Sequence, residues 1–147
     1  MPAPRILVVD DDQTIREMVR IILEAAAFDV GEANDGVDGL MQVEAFKPDL
    51  ILLDLMMPGL DGYTVCRTLK EEPATRAIPV IVFTASPDPD LHRRVYAAGA
   101  VGCLTKPFRP EGLLAVIQMT LQGVARREKR RQLKGTSADT ADGALDE

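Results

Sequence analysis

Short apolar runs alternate with helical repeats along about the first 120 residues of the chain. Runs of four or five apolar, often β-branched residues are typical of strands that are buried on both faces of a parallel sheet. This pattern predicts strands at residues 6–9, 28–33, 49–53, 80–83 and 101–104. The second run is less apolar than the others, which indicates a strand at an edge of the sheet.

Between these runs, apolar residues recur at spacings of three and four, as on the buried face of an amphipathic helix. Helices are predicted over residues 15–23, 37–43, 63–69, 91–98 and from 111 to about 121. Asp61 is a plausible N-cap of the third helix, Asp12 is the best-placed cap of the first, and Gly99 ends the fourth. Five consecutive βα units predict an α/β fold, a flavodoxin-like, doubly wound parallel sheet of order 2-1-3-4-5 with five helices on two faces.

The composition divides the chain into three parts. Residues 1–122 carry the βα pattern and form the predicted domain. Residues 123–134 have a net charge of +5 and are interpreted as a basic helical extension or linker. That segment is compatible with a solvated helix, a lead into an output module, a dimer contact or a site for an anionic partner. Residues 135–147 are small, polar and acidic, and are predicted to be disordered.

Charge and cysteine content narrow the function classes. The net charge of −6 disfavours direct nucleic-acid binding by this domain, because nothing would offset phosphate repulsion. Cys66 and Cys103 are too few for a disulfide framework, and the amino terminus resembles neither a signal peptide nor a membrane span. We therefore expect a soluble, cytoplasmic protein with no membrane partner. No GxGxxG or GxxxxGK[ST] string points to nucleotide chemistry.

Polar residues stand where four of the predicted strands end. Asp10–Asp12 follow the first strand, Asp54 ends the third, Thr84 ends the fourth, and Lys106 comes just after the fifth. In an open α/β sheet these positions meet at the carboxyl edge, where ligands bind. Clustered carboxylates repel one another and favour a hard cation such as Mg²⁺. Asp54, alone on the central strand, is the best candidate for a carboxylate nucleophile in phosphoryl transfer.

Four segments, in order and spacing, resemble the receiver domains of two-component response regulators, the CheY-like family. The likeness covers about residues 5–122. Its segments are Val8-Val9-Asp10-Asp11, Leu53-Asp54-Leu55-Met56-Met57-Pro58-Gly59-Leu60-Asp61-Gly62, Phe83-Thr84-Ala85 and Thr105-Lys106-Pro107-Phe108.

The resemblance implies roles for these residues. Asp54 would accept a phosphoryl group from the phosphohistidine of a histidine kinase or from a small phosphodonor. Thr84 and Lys106 would contact the phosphoryl oxygens, Ala85 would leave the approach open, and the Lys106–Pro107 bond would be cis.

A Mg²⁺ cofactor is also implied by the resemblance. Asp11 would bind the ion directly and Asp10 would bind it through water. Asp54 and the backbone carbonyl of Met56 would complete the protein ligands.

As a signalling switch, such a domain would have a histidine kinase or phosphotransfer protein as one partner and a downstream protein or output domain as another. A homodimer through helices four and five is a further expectation from fold analogy. Catalysis would be limited to self-phosphotransfer and autodephosphorylation, because Met56 stands where an aspartate-based phosphatase needs a general acid. The alternative function is a non-phosphorylated scaffold of the same fold that acts by protein binding.

Cys103 departs from the pattern of the family, and His92 has no role in it. Cys103 occupies the position, three residues before the lysine, where receiver domains usually carry Tyr or Phe. A thiol cannot rotate a ring between buried and exposed positions, so we expect activation to be transmitted by the Thr84 loop and the fourth helix. His92, beside two arginines, is expected to be an exposed residue without a phosphorelay or metal role.

Overall fold

The central sheet has five parallel strands in the order β2-β1-β3-β4-β5. We describe a computed structural model that covers the backbone of residues 2–141 and the side chains of residues 2–133. The strands are β1 (Arg5–Val9), β2 (Asp29–Ala33), β3 (Leu50–Asp54), β4 (Val80–Thr84) and β5 (Gly102–Thr105). This topology confirms the predicted flavodoxin-like fold, including the edge position of the second strand.

Five helices connect and follow the strands: α1 (Gln13–Ala25), α2 (Gly36–Phe46), α3 (Gly62–Glu71), α4 (Pro89–Ala97) and α5 (Pro110–Ala141). The side chain of Asp12 accepts hydrogen bonds from the backbone N–H groups of Thr14 and Ile15, and that of Asp61 accepts one from Thr64. Both predicted N-caps are therefore confirmed. No helix in the described part of the chain is both long and apolar enough to span a membrane.

Successive residues of each strand point to opposite faces, which places one apolar layer on each side of the sheet. On one face, Leu7, Ile51 and Val82 pack with buried residues of α2, α3 and α4. On the other face, Val8 and Leu52 pack with buried residues of α1 and α5. The three central strands β1, β3 and β4 are apolar on both faces for this reason, and their polar residues are confined to their ends.

Helix α5 differs from the prediction, which ended it near residue 121. It continues to Ala141 because the intervening segment is rich in Ala, Arg, Lys, Glu and Gln, which favour helix, and contains no proline. The helical backbone includes residues 135–141, the first part of the segment predicted to be disordered. Residues 142–147 of that predicted tail lie outside the described residues, so the division of the chain at residues 122 and 134 stays a prediction.

Candidate functional site

The site lies at the carboxyl edge of the sheet, around the amine of Lys106. Its Nζ atom is 3.3 Å from Oδ2 of Asp10 and 3.5 Å from Oδ1 of Asp54. Asp10 follows β1 and Asp54 ends β3, and these two strands are neighbours in the sheet. Both carboxylates are buried, whereas the lysine side chain is 22% exposed. The lysine therefore provides a partly accessible positive charge between two buried acids.

Asp10 is held rigidly by its own backbone and by α1. The backbone N–H of Asp10 donates to the carbonyl of Ala33 at 3.1 Å, and the Arg16 guanidinium donates to the carbonyl of Asp10 at 2.7 Å. The Oδ1 atom accepts a hydrogen bond from the backbone N–H of Asp12 at 2.9 Å. These contacts leave Oδ2 directed toward Lys106.

Three carboxylates converge at this edge. Asp10, Asp11 and Asp54 each present an oxygen atom, and these atoms lie within 4.8 Å of one another. Asp11 is exposed, so the cluster opens to solvent on one side. An all-oxygen donor set with one solvent-facing ligand suits Mg²⁺, which keeps several of its waters.

The pKa of Asp54 is raised to about 7. Burial is the largest cause, and repulsion from the Asp10 carboxylate adds to it. The Lys106 charge and a 3.4 Å hydrogen bond from the Met56 N–H lower the pKa, but their effect is smaller than that of burial and the Asp10 charge. A resident cation would relieve this repulsion, so the donor set and its electrostatics both fit a divalent ion.

The connection between β3 and α3 places the helix start directly against Asp54. Gly62 is the first residue of α3, and a Cβ atom there would lie 2.7 Å from the Asp54 carbonyl oxygen and from Cα of Leu55. Gly59 adopts a φ of +79°, which a residue with a side chain rarely tolerates. Met56, in the same loop, has a side chain that is 67% exposed. The role of its carbonyl as a metal ligand stays a prediction.

Lys106 is anchored by its backbone. Its N–H donates to the Thr84 carbonyl at 2.7 Å, which continues the pairing of β4 with β5 beyond the strand end. The Lys106–Pro107 peptide bond is cis, as the resemblance implied. The amine lies 4.9 Å from the centroid of the Phe83 ring, and this cation–π contact helps to hold the lysine side chain in position.

Thr84 is fully buried at the end of β4, and its hydroxyl oxygen accepts a hydrogen bond from the Ser86 N–H at 3.2 Å. That bond leaves the hydroxyl proton of Thr84 available for an acceptor at the site. Ala85 between them is exposed. The expectation that His92 is simply exposed is wrong: it is partly buried, and its Nε2 atom lies 3.2 Å from the Ser86 carbonyl oxygen. The fold turns α4 back over the loop, which brings this ring to the backbone.

Similarity to known proteins agrees with this geometry. The family model described as "response regulator receiver domain" matches residues 6–118. The chain belongs to this family. The receiver domain is 43% identical over 119 residues to the DNA-binding dual master transcriptional regulator RpaA of Synechocystis sp., covering 81% of this chain and 49% of RpaA. It is 40% identical over 118 residues to the DNA-binding response regulator MtrA of Mycobacterium tuberculosis, covering 80% of this chain and 50% of MtrA.

Solved structures agree in fold. The chemotaxis protein CheY4 of Vibrio cholerae superposes with a TM-score of 0.76 at 32% identity, covering 80% of this chain and 98% of CheY4. The signal receiver domain of a signal transduction histidine kinase from Syntrophus aciditrophicus gives 0.78 at 36% identity, covering 84% of this chain and 94% of that one. The chain spans about half the length of the curated relatives named above.

Two contributors to the receiver site escaped sequence reasoning. Arg16, which holds the Asp10 backbone, and Glu32, which accepts hydrogen bonds from Arg16 at 3.0 Å and from Arg20, form a network beside the site. Burial of Glu32 opposes its ionisation, but the hydrogen bonds from Arg20 and Arg16 outweigh burial and lower the pKa of Glu32. The spacing of four between the two arginines was a usable signal for a shared acidic partner. No feature of the sequence indicated that Arg16 also donates to the carbonyl oxygen of Asp10.

Proposed function

We propose that this receiver domain accepts a phosphoryl group on Asp54 and uses it to switch a protein-binding surface. The observation that carries the proposal is the position of Lys106, whose amine lies within 3.5 Å of both the Asp10 and the Asp54 carboxylates. A compact cation beside a lone carboxylate nucleophile is suited to bind a phosphoryl oxygen.

In the proposed transfer, an Asp54 carboxylate oxygen attacks the phosphorus of a phosphohistidine. An O–P bond forms, the P–N bond breaks, and the leaving imidazole takes up a proton from solvent. Lys106 counters charge on a phosphoryl oxygen, and the free hydroxyl proton of Thr84 is available to another. Asp54 must be ionised to attack, so its pKa of about 7 makes the Lys106 charge important at neutral pH.

The carboxylates of Asp10, Asp11 and Asp54, with the Met56 carbonyl, would hold Mg²⁺. When bound, the ion supplies positive charge that stabilises the phosphoryl oxygens. The chain's own part is to supply oxygen ligands at one edge and to hold Asp10 through Arg16 and the Ala33 carbonyl.

The phosphodonor we propose is a histidine kinase or phosphotransfer protein in the cytoplasm. The named relatives are DNA-binding regulators in which the matched segment makes up only about half of the length, which supports an output domain or separate protein as the downstream target. A homodimer through α4 and α5 is a further proposal. We expect only self-phosphotransfer and autodephosphorylation, because Met56 cannot serve as a general acid for external substrates.

Mass spectrometry of the intact protein after treatment with acetyl phosphate and Mg²⁺ tests this function. The wild type should gain the mass of one phosphoryl group, and Asp54→Asn should gain none. Asp29→Asn, an exposed acid at the amino end of β2, is the matched control and should react like the wild type. Omission of Mg²⁺ should suppress the reaction.

The alternative function, a non-phosphorylated scaffold, predicts no reaction with acetyl phosphate. A domain that acts by protein binding alone would stay unmodified under these conditions and would not bind Mg²⁺ at millimolar concentrations. Modification of Asp54→Asn to the wild-type extent would also exclude Asp54 as the acceptor.

A further inference from the structure

A second concave region lies at the amino-terminal edge of the sheet, opposite the edge that carries Asp54. It is a cleft of about 410 Å³ between the segments that precede β3, β4 and β5 and the distal part of α5. Its apolar lining is formed by Pro48, Ile78, Pro79, Val101 and Val124. The volume falls within the range of small-molecule sites.

Positive charge is concentrated in this cleft, although the whole chain has a net charge of −6. Four basic side chains line it against two acidic ones; they are Lys70, Arg76, Arg127, Arg131, Asp49 and Glu128. Within residues 2–133, the three arginines form no ion pair with any carboxylate. Their guanidinium groups are therefore available to an anion from solution.

One face of α5 supplies the basic wall. Val124, Arg127 and Arg131 are spaced by three and four residues, so they lie on the same side of the helix and all line the cleft. Arg126 and Arg130 precede these arginines by one residue each and do not line it. All four arginines are exposed, but only Arg127 and Arg131 are placed to bind a ligand in the cleft.

The opposite wall is held in place by Lys70. Its amine donates to the carbonyl oxygens of Arg76 at 3.1 Å and Ile78 at 2.7 Å, and burial lowers its pKa. Its aliphatic stem packs against Gly99, where a Cβ atom would lie 2.5 Å from Cγ of the lysine. The loop that carries Arg76 and Ile78 is therefore fixed before any ligand arrives.

We propose that this cleft binds a nucleoside polyphosphate. Planar guanidinium groups bind phosphate oxygens in pairs, which assigns the phosphates to Arg76, Arg127 and Arg131. The apolar lining suits a base, and the two carboxylates suit hydroxyl or amino donors of a nucleoside while repelling a bare anion. Oδ2 of Asp49 accepts from the Arg5 N–H at 2.8 Å, which leaves its other oxygen for such a donor.

This site needs no glycine-rich loop, because side chains rather than loop N–H groups contact the phosphates. The missing nucleotide motifs in the sequence therefore do not exclude it. The proposal does not depend on phosphorylation of Asp54, since the two sites lie at opposite edges of the sheet.

Titration with ATP in EDTA, followed by calorimetry and by backbone amide NMR, tests the proposal. EDTA removes divalent ions, so that ATP cannot bind through a metal ion at the carboxylate cluster on the other edge. We expect saturable binding, with shift changes centred on residues 49, 76–78, 101 and 124–131. Replacing both cleft arginines, Arg127→Gln with Arg131→Gln, should weaken binding by about tenfold or more.

The matched control is Arg126→Gln with Arg130→Gln, which removes the same charge from the same helix. It should change affinity by only about twofold, through weaker long-range attraction. Glutamine is a good helix former, so circular dichroism should show equal helicity in both double variants. Inorganic triphosphate should bind about tenfold more weakly than ATP, because it gains nothing from the apolar lining.

Several outcomes would overturn the proposal. They are no saturable binding at millimolar ATP, equal losses in the two double variants, or shift changes centred on Thr84 and Lys106. Triphosphate binding as tight as that of ATP would show a simple polyanion site and refute the nucleotide assignment.

Discussion

Asp54 is a residue whose proposed function conflicts with folding. It is only 4% exposed and lies near a second buried acid, so its ionised form is destabilised in the folded domain. A stability-optimised strand end would carry a neutral residue here. Such local conflicts are expected at functional sites, where stability is given up for reactivity.

Asp54 makes the stability of the folded domain depend on pH. Because the folded-state pKa of about 7 lies above the ordinary 3.8, the folded domain holds a proton that the unfolded chain releases. The contribution of Asp54 to stability therefore falls as pH rises from about 4 to 7. Asp54→Asn should increase the free energy of unfolding by about 1–2 kcal/mol at pH 8 without Mg²⁺, and by less at pH 5.

Urea denaturation of both proteins in EDTA at pH 5, 6, 7 and 8 measures this difference. A gap between variant and wild type that is the same at every pH would contradict the raised pKa. Addition of Mg²⁺ at pH 8 should narrow the gap, because the wild type gains a ligand that the variant binds less well.

At the scale of elements, the turn between β3 and α3 is the tightest junction next to the site. Gly62 starts α3 where backbone atoms of Asp54 and Leu55 leave no room for a side chain. The capping carboxylate of Asp61 then fixes the first turn of the helix. The Asp54 backbone and the start of α3 consequently form one packed unit.

Replacement of Gly62 by alanine should destabilise the domain by about 1–3 kcal/mol, because the added methyl group meets backbone rather than a flexible side chain. Gly112, in the first turn of α5, has open space around its would-be Cβ atom. Gly112→Ala should instead stabilise the domain by about 0.5–1 kcal/mol through helix propensity. Denaturant unfolding measures the free energy of unfolding of both variants. Similar changes from the two substitutions would disprove the close approach at Gly62.

At the scale of the whole molecule, a chain of contacts connects the site to α4. The Thr84 hydroxyl accepts from the Ser86 N–H, and the Ser86 carbonyl lies against His92 of α4. Cys103 on β5 has no ring to move, although it packs against the core beneath α3 and α4. The loop and His92 are thus the contacts through which a change at Thr84 can reach the helix.

Beryllofluoride, a phosphoryl mimic, should therefore displace residues 84–98 when bound with Mg²⁺. NMR or crystal comparison of free and bound domains measures this. His92→Ala should bind beryllofluoride with an affinity within about twofold of the wild type, yet show smaller shift changes in α4, because the contact to Ser86 is lost. An unmoved 84–98 segment in the wild type would exclude this route.

Local features of this protein were readable in its sequence. The apolar runs predicted all five strands, the three- and four-residue spacings predicted the helices, and Asp12 and Asp61 were recognisable as caps. The end of α5 was missed, because a charged segment made of helix formers has no apolar repeat to mark its length. The order 2-1-3-4-5 followed from the number of βα units and the handedness of their connections.

Periodicity and capping depend on neighbours within a few residues, so the sequence by itself determined the elements, their order and which polar residues end the strands. Distances and charges between remote positions were decided only by the tertiary structure. Lys106 and Asp10 are 96 positions apart, yet their ion pair shapes the site. Burial and proximity, which no local pattern encodes, also decide three further features. These are the pKa of Asp54, the hydrogen bond from Arg16 to the Asp10 carbonyl and the basic cleft beside α5.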